Sequence, residues 1–531
     1  MLGPPKSRAL DHPVVVSLES LVPADHFYRH LEATLDLSFI RDWVKDRYAY
    51  GGRPSVDPVV FFKLQLVLYL EGLRSERQLL RLAADRLSIR WYIGYGFDEP
   101  LPDHSTLTRM RERYGLAIFR RFFEAIVQQC IDAGLVWGKE LYIDATKVQA
   151  NASIDSVKPR FAVDEHLRHL FAESEGEDIS SADDIPAGEL ESADAAPEQL
   201  HPDIPPDLAD QNRSRHDWIA EDGHQQRDVN HGDYRRIADL RMSTTDPDAT
   251  LMRSRIGAPL QLGYHDHYVV DGGKARIILK VLVTPSEVME NQPMRDLLWQ
   301  TCFRWHLLPD QVAGDTTYGT VENIVALEDA NIRAYMPLAD FDERTPYFGA
   351  SKFVYDRDAD VYRCPDGQIL RRRTAKYTEN KIEYRAQAAV CNACPLKAQC
   401  TASDNGRMIV RSLYEEYLDR VRDYHQTEPY EKAMRKREVW VEPLFAEGKL
   451  WHNLRRFRLR QLWRVNVEAL MIAAGQNLKR LLTPSRWSRR PASGMASALP
   501  MNQELLSRSL LRLLKDVTRR PQPDAAYVYA G

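Results

Sequence analysis

Between Leu262 and Thr284 the chain reads LGYHDHYVVDGGKARIILKVLVT. Two runs rich in β-branched and aromatic residues flank Asp271-Gly272-Gly273, a turn signal that commits this stretch to a β-hairpin. What surrounds the hairpin narrows the fold further. Upstream, Leu141-Tyr142-Ile143 reads as a buried strand that ends on Asp144. Downstream, EVMENQPMRDLLWQTCFRWHL has helical periodicity, and LPDQVAGDTTYG reads as a short strand ending on Asp315. Strand, hairpin, helix and strand in that order predict an α/β arrangement, a mixed sheet with helices on its faces.

A chain of 531 residues is too long for one compact core, and two to four domains are expected. Residues 15–136 read as an all-α N-terminal domain, with the strongly apolar DPVVFFKLQLVLYLEGL and the amphipathic SERQLLRLAADRLSIRWYIGY. In LPDHSTLTRMRERYG, Asp103 or Ser105 can cap a helix that carries Arg109, Arg111 and Arg113. The helix pair across residues 75–114 suits a helix-turn-helix that offers these arginines to DNA. An ordinary bundle with solvated arginines suits the same spacing. Residues 155–240 are acidic, rich in Pro and Ala and poor in aromatics, which predicts a partly disordered insertion.

Hydrophobic residues at 44% and charged residues at 28% are ordinary for a globular protein. The N-terminus lacks the apolar core of a signal peptide, and no run of about 18 apolar residues occurs, so no membrane span is expected. Six cysteines in so long a chain do not make a disulfide scaffold, and a cytoplasmic protein is expected.

The net charge of −4 hides a segregation. From Glu431 to Arg490 fifteen basic residues stand against five acidic ones, about +10, which is the footprint of a polyanion partner. Trp440, Trp451, Phe457 and Trp463 are interleaved with them, as stacking on unpaired bases would need. The alternative is that the aromatics are core and the arginines a solvated helix face. Pro443 is expected to interrupt the helical pattern here.

Two strand-terminal aspartates on neighbouring strands can hold a hard divalent cation. Paired cations would clamp both oxygens of a phosphodiester displacement, a chemistry that calls for a third carboxylate. The basic segment offers Glu438, Glu442 and Glu447, and VEPLFAEGK places Lys449 two helical turns after Glu442 on the same face.

YIDATKVQANAS, VAGDTTYGTVENI and VEPLFAEGKLWHNLRRFRLRQLWRVNVEALMIAAGQNLKRLL resemble the three catalytic blocks of bacterial insertion-sequence transposases of the DDE class, in particular the group called IS-eleven-eighty-two. DHSTLTRMRERYG resembles the end of the N-terminal domain these proteins share. The resemblance implies a ribonuclease-H-like catalytic core made of residues 137–154, 241–345 and 425–482, Mg²⁺ (or Mn²⁺) dependence, and a homodimer in the active complex. It implies cutting of double-stranded DNA at terminal inverted repeats and joining to target DNA in the nucleoid. By position Asp144, Asp315 and Glu442 match the three acids. Glu442 and Lys449 match a Glu-x6-Lys signature, with Arg437, Arg455, Arg456, Arg458 and Arg460 as phosphate contacts. That signature also has an Arg four before the Glu and a Tyr three before that. Here those two positions hold Glu438 and Arg435, and Arg437 and Tyr430 stand nearby at a different spacing. A non-catalytic DNA-binding derivative and a nuclease without strand transfer are the competing readings.

Cys364, Cys391, Cys394 and Cys400 fall in residues 346–424, a small polar insertion, and suit a zinc-ribbon-like site with structural Zn²⁺. Cys130 and Cys302 lie on apolar helical stripes and are expected in the core. His265 and His267 share one face of the hairpin and Asp266 takes the other; with no third ligand evident, this is expected to be a surface strand. Residues 483–531 form a tail rich in Arg, Ser and Pro.

Overall fold

A computed structural model describes residues 13–48, 51, 55–159, 241–255, 257–340, 342–377 and 380–483. The expected insertion from residue 160 to 240, and the tail beyond Thr483, lie outside the described residues. The chain divides into two compact units, Met1–Val136 with Tyr142–His306 and Lys436–Pro484, and Trp137–Leu141 with Leu307–Arg435 and Ser485–Gly531.

The first unit opens with seven helices: α1 Leu18–Leu21, α2 Phe27–Thr34, α3 Phe39–Val44, α4 Pro58–Leu70, α5 Glu76–Asp85, α6 Leu87–Ile93 and α7 His104–Asp132. Their starts are set by short polar side chains. Asp57, Ser75 and Asp103 accept from the backbone N–H groups of Val59, Gln78 and Ser105. Gly115, at φ 63° and ψ 177°, breaks the helical course of α7, a backbone state that glycine tolerates without a Cβ clash. Helix α4 is apolar all round and correspondingly buried, with Phe61, Phe62, Leu64, Leu66, Val67 and Leu68 closed to solvent.

The helices do not stand apart as a domain. The C-terminal helix α15, Leu462–Leu481, is buried from Val465 through Leu478. Both α4 and α7 pack on it. An apolar helix with no polar face needs cover on every side, and the N-terminal helices supply part of that cover.

The other face of α15 lies on a sheet. Strand β1 is Glu140–Gln149, and the short pair β2 Val157–Pro159 and β3 Arg241–Ser243 follows it. Next come β4 Thr250–Arg253, β5 Leu260–Asp271 and β6 Ile278–Pro285, and then α8 Met294–Trp305. The expected hairpin is β5–β6, and Asp271 Oδ2 accepts from Gly273 N–H in its turn. Strands β4 and β6 pair antiparallel with successive stretches of β5, and β1 is the neighbour of β5 on its other side. The outer edge of β6 is closed by side-chain amides of α15. Asn466 bonds both the N–H and the C=O of Val283, and Asn477 those of Ile278. An edge whose backbone groups are satisfied this way offers no template for further pairing.

In the second unit β7 Gln311–Ala313 and β8 Arg333–Tyr335 pair in parallel, joined by α9 Val321–Asp329. The start of β1 neighbours β7 here. Asp310 N–H donates to Lys139 C=O, and Gln311 Nε2 to Glu140 Oε1. An antiparallel five-stranded sheet follows, in the order β13-β12-β11-β10-β9. Its strands are β9 Val354–Asp356, β10 Val361–Arg363, β11 Ile369–Lys376, β12 Lys381–Arg385 and β13 Met408–Ser412. Its core is Phe353, Tyr362, Leu370, Tyr384, Ala386, Cys400 and Ile409. The short helices α10 Ala388–Asn392 and α11 Lys397–Cys400 lie between β12 and β13, and α12 Glu415–Tyr424 and α13 Glu428–Lys436 follow. No helix among the described residues is long and apolar enough to cross a membrane.

Candidate active site

Asp144 does not end its strand. β1 continues to Gln149 beside β5, and at its end Gln149 N–H donates to Arg455 C=O while Phe457 N–H donates to Gln149 C=O. Side chains alternate along a strand, so Asp144 and Thr146 share one face. Both meet groups from the C-terminal helical region, where a π-helical segment, Arg437–Val441, leads into α14, Glu442–Trp451.

Arg437 links two of the expected acids. Its Nη1 lies 3.3 Å from Asp144 Oδ2 and its Nη2 lies 3.4 Å from Glu442 Oε1. One guanidinium thus holds both carboxylates. Two turns on, Lys449 Nζ donates to Thr146 Oγ1 at 2.5 Å. Asp144, Glu442 and Lys449 are therefore assembled on one face by β1 and α14.

The π segment sets the spacing between Arg437 and Glu442. Glu442 N–H donates to Arg437 C=O, five residues back rather than four. A π turn takes in one extra residue, so Arg437 stands one turn before Glu442, as a residue four back does in an α-helix. Pro443 does not interrupt the helix. It sits in the first turn of α14, where a missing N–H is tolerated, and the looser turn before it absorbs the ring. Tyr430 packs against Tyr335 and His425 in the second unit.

Asp315 belongs to the second unit. β7 ends at Ala313, and Asp315, half-buried, accepts from Thr317 N–H at 2.8 Å as the cap of a 3₁₀ turn, Thr316–Tyr318. Of the alternative third acids, Glu438 is exposed. Glu447 is engaged by Arg480 at 2.8 Å, Lys479 at 3.5 Å and His452 at 3.7 Å. Burial alone would raise its carboxyl, but these three partners hold it well below the usual carboxylate range.

Sequence reasoning missed Asp266. The hairpin is no surface strand: Asp266 and His267 are closed to solvent and His265 is nearly so. Helix α8 contacts both β5 and β6, α15 lies along β6, and Phe445 of α14 stacks on Tyr268. His265 Nδ1 bonds Val288 C=O and His267 Nε2 bonds Thr284 Oγ1. Burial pushes the Asp266 carboxyl well up, with Tyr268 and Lys449 working against it. The Tyr268 hydroxyl is itself directed at Gln476 Oε1, 3.5 Å away. Burial pulls the Lys449 ammonium down, while Asp266 and Asp144 pull it back and Arg455 does not. The signal in the sequence was an acid at the inward position of an otherwise aromatic face, Tyr264, Asp266 and Tyr268.

The arginines expected on DNA divide. Arg109 and Arg113 are exposed on α7, and Arg455 and Arg460 are exposed near α14. Arg456 is half-buried and donates to Asn151 Oδ1. Arg111 points inward instead: it is 2% exposed and ion-paired with Glu76. Arg458 turns to the same place, 3.8 Å from Glu76 and 3.4 Å from the Tyr69 hydroxyl. Both charges are spent inside the unit, because the buried Glu76 needs cationic partners. Phe457 is core, edge-on to Tyr264, whereas Trp451 is 67% exposed.

All six cysteines are free thiols. Cys364, Cys391, Cys394 and Cys400 line one cavity in the second unit, with Asp366 and Arg407. Arg407 N–H donates to Cys391 Sγ at 3.3 Å. Among the described residues no three His, Cys, Asp or Glu side chains are arranged to hold a metal ion. Burial pushes the Cys130 and Cys302 thiols up to about 12, as inert packing thiols require.

Two family models match the chain. The model described as Transposase domain (DUF772) matches residues 16–113, and the one described as Transposase DDE domain matches residues 363–482. Glu442 and Lys449 fall inside the second match; Asp144 and Asp315 lie outside both. No curated protein and no solved structure matches the chain. The two matches support a DDE-type transposase, an enzyme that acts on DNA.

Proposed function

We propose that the chain is a DNA transposase of the IS-eleven-eighty-two-like group. It cuts at the terminal inverted repeats of its element and joins the 3′ ends to target DNA. The observation that carries this reading is the convergence of Asp144 and Glu442 on the Arg437 guanidinium beside Lys449. A cation held between hard oxygen donors marks where a divalent cation fits. Asp144 and Glu442 are the residues of the first unit that would hold Mg²⁺ or Mn²⁺, and Asp315 is the further acid that the resemblance implies. Such ions, when bound, polarise the phosphodiester and activate the attacking oxygen.

The rest of the work falls to side chains of this chain. Lys449, fixed by Thr146, is poised to hold a non-bridging phosphate oxygen. Arg455 and Arg460 on the exposed side, with Arg109 and Arg113 on α7, would hold the flanking backbone. Support for a ribonuclease-H-like core comes from the antiparallel hairpin β5–β6 beside β1 in the first unit and, within the second, from the parallel pair β7–β8 joined by α9. The four thiols around one cavity are the donor set that structural zinc takes, although they do not stand in ligating positions.

The test is a reaction of full-length protein, Mg²⁺ and a mini-element with its own ends. Excision and joined products are expected from the wild type and neither from Asp144→Asn or Glu442→Gln. Cutting without joining would make the protein a nuclease, and binding without cutting an inactive derivative.

A further inference from the structure

We propose that Arg437 is a resident counter-ion of Asp144 and Glu442, a cation built into the chain that must leave before a divalent ion can use the same oxygens. The inference rests on the reading that these two carboxylates are metal ligands. It goes beyond that reading by giving Arg437 a role opposite to that of a ligand's helper.

Three observations carry it. The guanidinium reaches both carboxylates, Asp144 Oδ2 from Nη1 and Glu442 Oε1 from Nη2. It is therefore placed between the two acids and not merely beside either. Asp144 and Arg437 are largely buried, their side chains 11% and 18% exposed, so this pair is weakly screened and Asp144 needs a cation at all times, whereas Glu442 is 54% exposed. An arginine is always charged and cannot yield by losing its proton, so it has to move. Finally, Arg437 begins the π segment, the one stretch of this helix whose turn holds an extra residue. Drawing that turn back to α-helical spacing would swing the residue by about 100° about the helix axis.

The displaced guanidinium needs a new anion, and a DNA phosphate is the one the reaction brings. Metal and DNA would then favour each other's binding: the phosphate draws Arg437 away, and the vacated oxygens accept the metal. By linkage the coupling is the same in both directions.

The experiment is Mn²⁺ binding to the full chain without DNA, read by the loss of the free-ion paramagnetic resonance signal. Arg437→Gln should bind Mn²⁺ roughly three- to tenfold tighter than wild type, because a competing charge near the ion is gone. Arg437→Lys, which keeps the charge, should bind as the wild type does. Equal or weaker binding by Arg437→Gln, with Asp144→Asn still abolishing binding, overturns the counter-ion role and leaves the carboxylate site standing. Unchanged binding in Asp144→Asn would remove both. A second measurement needs no variant. Phenylglyoxal labelling of wild type, mapped by mass spectrometry, should mark Arg437 several-fold faster with Mn²⁺ than without. No change with metal overturns the proposal.

Discussion

The Lys449 ammonium donates to Thr146 Oγ1 at 2.5 Å, which fixes a flexible cation of α14 against the strand that carries Asp144. A lysine stem normally samples many rotamers; here a hydroxyl on the sheet selects one. Lys449→Ala should lower strand cleavage by about 10²-fold or more and reduce the salt slope of DNA binding by about one ion. Thr146→Val should cost less, and should raise KM with little change in kcat, because the charge remains and only its placement loosens. Steady-state cleavage and fluorescence anisotropy across a salt series separate the two effects.

Arg111 and Arg109 are two residues apart and should behave as opposites. Arg111→Ala leaves Glu76 without its closest partner in a buried site and should cost about 3–5 kcal/mol of stability. Arg109→Ala and Arg113→Ala remove exposed charges and should stay within about 0.5 kcal/mol, while weakening DNA binding. Thermal melts beside binding isotherms check this. A destabilised Arg109→Ala with unchanged DNA affinity would remove α7 from the DNA-binding surface.

Asp266 and His265 set opposite pH dependences. Burial raises the Asp266 carboxyl well above 3.8, so its contribution to stability is present below that value and is lost as pH rises through the shifted one. Asp266→Asn should therefore be more stable than wild type at pH 8, by about 1–2 kcal/mol, with the gap closing towards pH 4. Burial lowers His265 from 6.5 to about 4, opposed by a bond to Val288 and helped by the Lys147 charge. Its contribution is present above 6.5 and is lost as pH falls towards 4. His265→Asn should flatten that acid limb. Melting temperatures at half-unit pH steps read both, and a pH-independent gap for Asp266→Asn would contradict the assignment.

The cysteine cavity makes a metal-content prediction. Protein purified without chelator should carry about one zinc per chain, released by a thiol-blocking mercurial, with Cys391→Ser and Cys394→Ser both losing it. Zinc-free protein with an unchanged melting temperature would leave the four thiols as packing groups around the core of the small sheet.

Local signals in the sequence were legible where the chain acts on itself. The β5–β6 hairpin followed from Asp271-Gly272-Gly273, α7 begins at Asp103, and the Glu442–Lys449 spacing places both on one face of α14. What failed depended on distant partners. Asp144 reads as a strand end because β5, the neighbour of β1, and the segment that meets Gln149 lie far along the chain. Arg111 looked solvated because Glu76 and Arg458, which share its pocket, are not visible from its own helix. The hairpin looked superficial because α8, α14 and α15, which cover it, come later in the chain. No periodicity within a window reports on such cover.

The π turn before Glu442 has a consequence for how this helix tolerates changes in length. Counting residues along a motif measures contour, whereas two side chains meet according to their bearing around the axis. One residue deleted between Arg437 and Glu442 should tighten the turn to α-helical form and leave the pair facing each other. One residue inserted there should turn Arg437 aside by about 100°. The segment therefore works as a ratchet with slack in a single direction, and a shortened helix is the change this site is built to survive.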